Sequence, residues 1–176
     1  MSERVRTIPT LDRPLSPESG VVPPNLAARP LTKDDYDHVV QVVDHWWDGP
    51  IAVLAHPMFF YEFGKYARVV EDVAAGGKLV GFLLGFMLPA EADTHPLGYI
   101  HLVGIDPGYR RKGVARALYN EFASTCANLG CTRLKAVTTV GNEGSLRFHQ
   151  ALGWSAVEDK DYAGPGRRRV VLTKGA

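Results

Sequence analysis

From Thr32 onward, apolar residues recur at helical spacing. Val39, Val43 and Trp46 fall on one face, and Thr32 with Asp35 three residues on forms an N-cap with an acidic first turn. This helix should end at Asp48-Gly49-Pro50, and a second, short one is predicted over Pro57 to Tyr66, where Phe59, Phe60 and Phe63 cluster. Then the period changes. Arg68 to Val73 reads as a strand, Gly76-Gly77 as a turn, and Lys78 to Met87 as an almost unbroken apolar run. A strand apolar on both faces has to be covered on both faces. After a loop through Asp93 and Pro96, Tyr99 to Ile105 forms another buried strand. A long helix follows from about Gly113 to Leu129, with Ala115, Leu118, Tyr119, Phe122 and Cys126 along one stripe. A strand over Arg133 to Val140, a helix over Glu143 to Leu152, and late strands near Trp154 to Val157 and Arg168 to Thr173 complete the pattern. Helices inserted between strands imply an α/β sandwich of one domain.

The segment before Leu31 differs. Six of the twelve prolines fall there, so Ser2 to Arg29 is expected to hold neither a regular helix nor a central strand, and it reads as an arm. The remaining composition is that of a folded protein: 45% hydrophobic and 22% charged residues over 176 positions, enough for one domain that buries roughly two-thirds of its unfolded surface. A formal net charge of +1 gives no global field, so nucleic acid is not an expected partner and any phosphate must be held locally. The run Arg167-Arg168-Arg169 is read as a solvated strand edge. Cys126 and Cys131 are read as reduced thiols rather than part of a disulfide framework. With neither a signal-type apolar run nor a membrane span in the sequence, no membrane association and a cytoplasmic location are expected.

Local chemistry concentrates in Ile105-Asp106-Pro107-Gly108-Tyr109-Arg110-Arg111-Lys112-Gly113-Val114-Ala115, a strand, a turn and a helix start with three cations in the turn. Unpaired N–H groups and the positive end of the helix dipole favour an anion there, and small residues at Gly113 and Ala115 allow its close approach. Arg110, Arg111, Lys112 and, one turn on, Arg116 could add charge-assisted bonds, so the segment reads as a pyrophosphate site. It has neither the Gly-Lys-Ser/Thr ending of a P-loop nor the G-x-G-x-x-G of a dinucleotide fold.

Arg110-x-x-Gly113-x-Ala115 after Ile105-x-Pro107 resembles the Q/R-x-x-G-x-G/A signature of the GNAT superfamily of N-acetyltransferases. Asn142-Glu143-Gly144-Ser145-Leu146-Arg147-Phe148-His149-Gln150-Ala151-Leu152-Gly153-Trp154 resembles a second signature of the same superfamily. The resemblance covers roughly Leu31 to Lys174. It implies a single-domain GNAT fold over residues 30–176 behind a proline-rich arm at 1–29. That fold has a mixed, mostly antiparallel central sheet of about six to seven strands with helices on both faces, splayed at the fourth and fifth strands.

The resemblance further implies acetyl-CoA as cofactor. Val103, Gly104 and Ile105 would lie along the pantetheine, the segment from Arg111 through Lys112, Gly113, Val114 and Ala115 to Arg116 would hold the pyrophosphate, and Asn142, Ser145 and His149 would face the cofactor. No metal is expected. Family members commonly place a tyrosine where His149 stands, so His149 is one candidate acid, with Tyr119 and Tyr162 as substitutes. Tyr99, His101 and Val103 alternate onto one strand face, which makes His101 the candidate base with Tyr99 beside it. The acceptor pocket of the family points to His45, Trp46, Trp47, Asp48 and Phe60, and to Asp161 and Tyr162. The expected acceptor is a small-molecule primary amine. A peptide or protein amine, or a non-catalytic acyl-CoA-binding role with the arm as a contact, stands as the alternative. Dimers, common in the family, are a further expectation.

Overall fold

A computed structural model describes residues 22–47, 49, 52–90 and 95–175. Residues 1–21, which make up most of the expected arm, lie outside it, as does Asp48. Among the described residues, seven strands form one sheet in the order β1-β2-β3-β4-β5-β7-β6. They are β1 (Leu26–Pro30), β2 (Arg68–Asp72), β3 (Lys78–Leu88), β4 (Leu97–Ile105), β5 (Arg133–Thr138), β6 (Ser155–Asp159) and β7 (Arg169–Gly175). Only β4 and β5 run parallel. Their connection is the long helix α3 (Val114–Asn128), because a parallel pair cannot be joined by a tight turn.

The apolar run at Lys78–Leu88 is central, with β2 on one side and β4 on the other. Its two faces feed two cores. Val80 and Leu83 pack with Leu118 and Phe122 of α3, Leu146 of α4 (Glu143–Ala151) and Trp154. Leu79, Phe82 and Leu84 pack with Val39, Val43 and Trp46 of α1 (Asp35–Trp47) and Phe60 of α2 (Pro57–Tyr61). Each fully buried side chain of this size stabilises the fold by about 1.5–3 kcal/mol relative to exposure. The expected single-domain sandwich of a mixed, mostly antiparallel sheet with helices on both faces is therefore observed.

Three details depart from the sequence reading. The helix expected over Pro57 to Tyr66 is split: α2 stops at Tyr61 and a short 3-10 turn covers Gly64–Tyr66. Residues Leu26–Arg29, counted with the arm, pair with β2 as an edge strand that ends on Pro30, and an edge tolerates proline because only one side of the strand is hydrogen-bonded. Arg169 opens β7, which lies inside the sheet between β5 and β6 and not at its edge. Among the described residues no helix is long and apolar enough to cross a membrane.

Candidate active site

The site begins where β4 and β5 part. Their pairing covers only Leu97–Ile100 against Arg133–Ala136, whereas β4 continues to Ile105 and β5 to Thr138. On its other side β4 carries a β-bulge: Leu84 pairs with Leu102 and Gly85 with Ile100, leaving His101 as the extra residue. A bulge bends a strand and re-aims the side chains beyond it. Here it reverses the alternation. Tyr99 and His101 share the α2 side with the aromatic rings, while Val103 and Ile105 pack into the core under α3. Val103 therefore does not share a face with Tyr99 and His101. Gly104 turns to the α1 side, where a Cβ would lie 2.4 Å from Phe82 Cε1 and 3.1 Å from Trp46 Cε3, so glycine is required for packing.

An aromatic wall lines the α2 side of this opening. Phe59 lies 4.0 Å from the His101 ring and stacks on Phe86 at 5.8 Å and 13°, with Phe63 5.3 Å from Phe86. Phe86 contacts Tyr99 at 5.2 Å, and Tyr99 hydrogen-bonds Tyr162 in the loop between β6 and β7. Burial, with help from Tyr162, pushes the Tyr99 phenol up to about 12, so it stays protonated. Lys135 Nζ sits 5.0 Å over the Tyr162 ring. His101 Nε2 is 2.9 Å from the carbonyl oxygen of Leu54. A carbonyl only accepts, so Nε2 carries the hydrogen and Nδ1 keeps a lone pair. Burial lowers the pKa of this imidazole, against a smaller opposing effect of the Leu54 bond, and favours the neutral ring.

At the other end of β4 the basic turn is built by local caps. Asp106 accepts from Gly108 N–H at 2.8 Å and pairs with Lys78 at 2.8 Å. Tyr109 O–H donates to Asp72 at 2.7 Å, a bond that holds the Asp72 carboxyl below its usual range. Arg111 (φ 60°) and Gly113 (φ 84°) both adopt the left-handed conformation, and Gly113 begins α3 without any side-chain cap. The first helical bond is Ala117 N–H to Gly113 C=O at 3.0 Å, which leaves the amides of Val114, Ala115 and Arg116 aimed out of the helix start. Arg111 and Lys112 are exposed and Arg116 is half-buried. Arg110 is different: its guanidinium bonds the carbonyl oxygens of Trp46 and Ile105, tying the C-terminal end of α1 to the turn. It serves as an anchor there instead of facing an anion.

On α4, Asn142 is the N-cap, accepting from Ser145 N–H at 3.1 Å. His149, expected as an acid, is buried at 5% exposure. Its Nδ1 donates to the Ser145 carbonyl at 2.8 Å, with Ser145 Oγ 3.3 Å away, and its Nε2 accepts from Tyr119 O–H at 3.0 Å. Both ring nitrogens are occupied, and burial lowers the pKa. The geometry is that of a neutral structural link and not of an imidazolium acid. Burial raises the pKa of Tyr119, whose O–H is spent on this bond.

Of the expected acceptor residues, Trp46 and Phe60 are core, each 4% exposed, stacked on Phe82 and set edge-on to Tyr36 respectively. His45 is exposed on α1. Trp47, 40% exposed, does reach the opening, where its indole N–H donates to the Val103 carbonyl at 3.1 Å. Phe86 and Lys135 were not singled out from the sequence. Their signals were the alternation Phe82-Leu84-Phe86 on one face of β3 and a lone charge between Leu134 and Ala136.

The model of the acetyltransferase (GNAT) family matches residues 35–154. The chain belongs to this family. A relative in Propionibacterium freudenreichii subsp. shermanii, a mycothiol acetyltransferase, is 32% identical over 96 residues, 54% of this chain and 30% of that protein. A Salmonella typhimurium aminoglycoside N(6')-acetyltransferase type 1 is 30% identical over 66 residues, 38% of this chain and 46% of that protein. The chain thus spans less than half the length of these two curated relatives. Arabidopsis thaliana NAA60, solved in complex with acetyl-CoA, shares the fold with a TM-score of 0.68 and 16% identity over 86% of this chain and 99% of that one. For a GNAT chain the decisive elements are a parted strand pair and an uncapped helix start at its end, and this chain has both. An elongated thiol cofactor that carries a pyrophosphate beyond its pantetheine arm fits them.

Proposed function

We propose that the protein is an acetyl-CoA-dependent N-acetyltransferase that acylates a primary amine of a small molecule by direct attack in a ternary complex. The observation that carries this reading is the alignment of the β4–β5 opening with the uncapped start of α3 at the end of β4. Acetyl-CoA would supply the activated acetyl thioester. The N–H groups from Arg111 to Arg116, with the side chains of Arg111, Lys112 and Arg116, would hold its pyrophosphate, and the main chain of Val103 to Ile105 with Asn142 and Ser145 would border the pantetheine. His101 Nδ1 is the available base, because a neutral ring whose other nitrogen donates to Leu54 can take a proton from the amine or from an intervening water. The names of both curated relatives support a small-molecule acceptor.

The test combines calorimetric titration with CoA and a screen of primary amines for release of free CoA thiol. Tight CoA binding with release by at least one amine is expected, and His101→Ala should lower kcat by about 10²-fold while CoA still binds. Binding without release for every amine would overturn the catalytic reading and leave an acyl-CoA-binding module.

A further inference from the structure

We infer that the acceptor is a small amine with an aromatic or apolar body and a carboxylate close to the amine, of the chemical class of an aromatic amino acid, with Lys135 as the residue that selects the carboxylate. This rests on the acetyltransferase reading above and names the substrate class of that same site. Three observations converge. The wall beside the opening is made of Phe59, Phe63, Phe86, Tyr99, His101 and Tyr162, and Phe63 and Tyr162 remain 41% and 37% exposed, so flat apolar surface is on offer. None of these six residues carries a negative charge. The nearby loop carboxylates are exposed and each spends one oxygen on its own loop: Asp161 accepts Gly166 N–H at 2.6 Å and Asp159 accepts Asp161 N–H at 3.0 Å. An acceptor with several ammonium groups would meet the like charge of Lys135, which already occupies the Tyr162 ring face.

The cation in the wall points to the opposite charge. Lys135 is opposite Tyr99 in the parallel ladder, one row before Ile100 and Ala136, the last pair before the strands separate. Leu134 and Ala136 face the α3 core, so Lys135 projects to the other face, where its ammonium meets the Tyr162 ring. Among the described residues that ring is its partner. One row of a strand is roughly 3.3 Å, so a carboxylate at Lys135 and an amine at the opening are about one amino acid apart. The aryl group would then lie on Phe59 and Phe86, where ring pairs add to the gain from burial.

The experiment compares kcat/KM for L-phenylalanine, L-phenylalaninamide, L-alanine and an aminoglycoside in the full chain saturated with acetyl-CoA. Phenylalanine should exceed both its amide and alanine by about tenfold or more, with the aminoglycoside slowest. Lys135→Gln should bring the acid-to-amide ratio near one through a higher KM for the acid, Lys135→Arg should restore most of it, and the Kd for CoA should be unchanged in both. Calorimetric titration of phenylalanine into the CoA complex reads the same loss without turnover. Equal rates on acid and amide, or a preference for the aminoglycoside, overturn the inference while leaving an acetyltransferase. Failure of every amine to release thiol, although CoA binds, overturns the parent reading instead.

Discussion

His101 and His149 are both pushed toward the neutral form by burial, yet their bonds leave them with different chemistry. His101 spends one nitrogen on Leu54 and keeps the other, whereas His149 spends both, on Ser145 and Tyr119. Tyr119→Phe removes the hydrogen that fills His149 Nε2 and leaves a buried acceptor unpaired. A loss of about 1–3 kcal/mol is expected, read as a lower denaturant midpoint at unchanged m, with the Kd for CoA unaltered. The same burial makes stability depend on pH. An unfolded histidine protonates near 6.5, and the folded rings resist protonation until lower pH. Between those values the unfolded chain binds more protons, so stability is full above about pH 7 and falls as pH drops below 6.5. His149→Gln should flatten that fall in melts taken between about pH 7 and pH 5; an unchanged slope would mean that His149 is not held neutral. In sequence His149 could be read as an acid or as a core ring, because the signature fixes its place on α4 but says nothing of the Tyr119 hydroxyl thirty residues earlier.

The strands and helices themselves were legible because their hydrophobic periods are clean: β3 is apolar on both faces, and α1 and α3 each show one stripe. What alternation cannot show is a bulge. The extra residue at His101 inverts every position after it, which is why Val103 was assigned to the wrong face. Gly104 was likewise legible only as part of a cofactor strand, although its packing against Phe82 and Trp46 explains it. Gly104→Ala would force those rings or α1 to shift, since its Cβ would sit 2.4 Å from Phe82. A thermal melt should show a destabilisation of about 1–3 kcal/mol, with weaker CoA binding because Trp46 and Trp47 end the same helix. The basic turn allows charge and backbone to be separated. Arg111 already has φ 60°, so Arg111→Gly keeps the conformation and removes only the guanidinium. CoA affinity should fall about 3–10-fold with no loss of stability. At Gly113, φ 84°, alanine should cost about 1 kcal/mol of stability in addition to affinity.

At the scale of the whole molecule, the sheet is closed at one edge by a strand that the prolines had hidden. β1 adds Leu26 to the core under α3, and Arg29 bridges three elements: it donates to Asp35 of α1 at 2.8 Å through each of two nitrogens and to Glu71 of β2 at 2.9 and 2.5 Å. Burial alone would raise the Asp35 carboxyl, but the bonds from Arg29 and Thr32 outweigh it and hold the group below its usual value. A carboxylate held low contributes stability that is present above an unfolded pKa near 3.8 and is lost as pH falls through the folded one. Arg29→Ala leaves Asp35, whose side chain is 9% exposed, without its cation, whereas the guanidinium itself is 36% exposed and partly screened. The expected loss is therefore about 1–3 kcal/mol, below that of a fully buried pair. Arg29→Lys should recover only part of it, because one ammonium cannot make the forked contact to Asp35 and reach Glu71 as well. The pH dependence separates this cause from simple loss of packing at the sheet edge. If the ion pair is responsible, the gap between parent and Arg29→Ala in urea melts is constant from about pH 7 to pH 5 and narrows below about pH 4, as protonation relieves the stranded carboxylate; a gap independent of pH would assign the loss to the packed stem of the arginine.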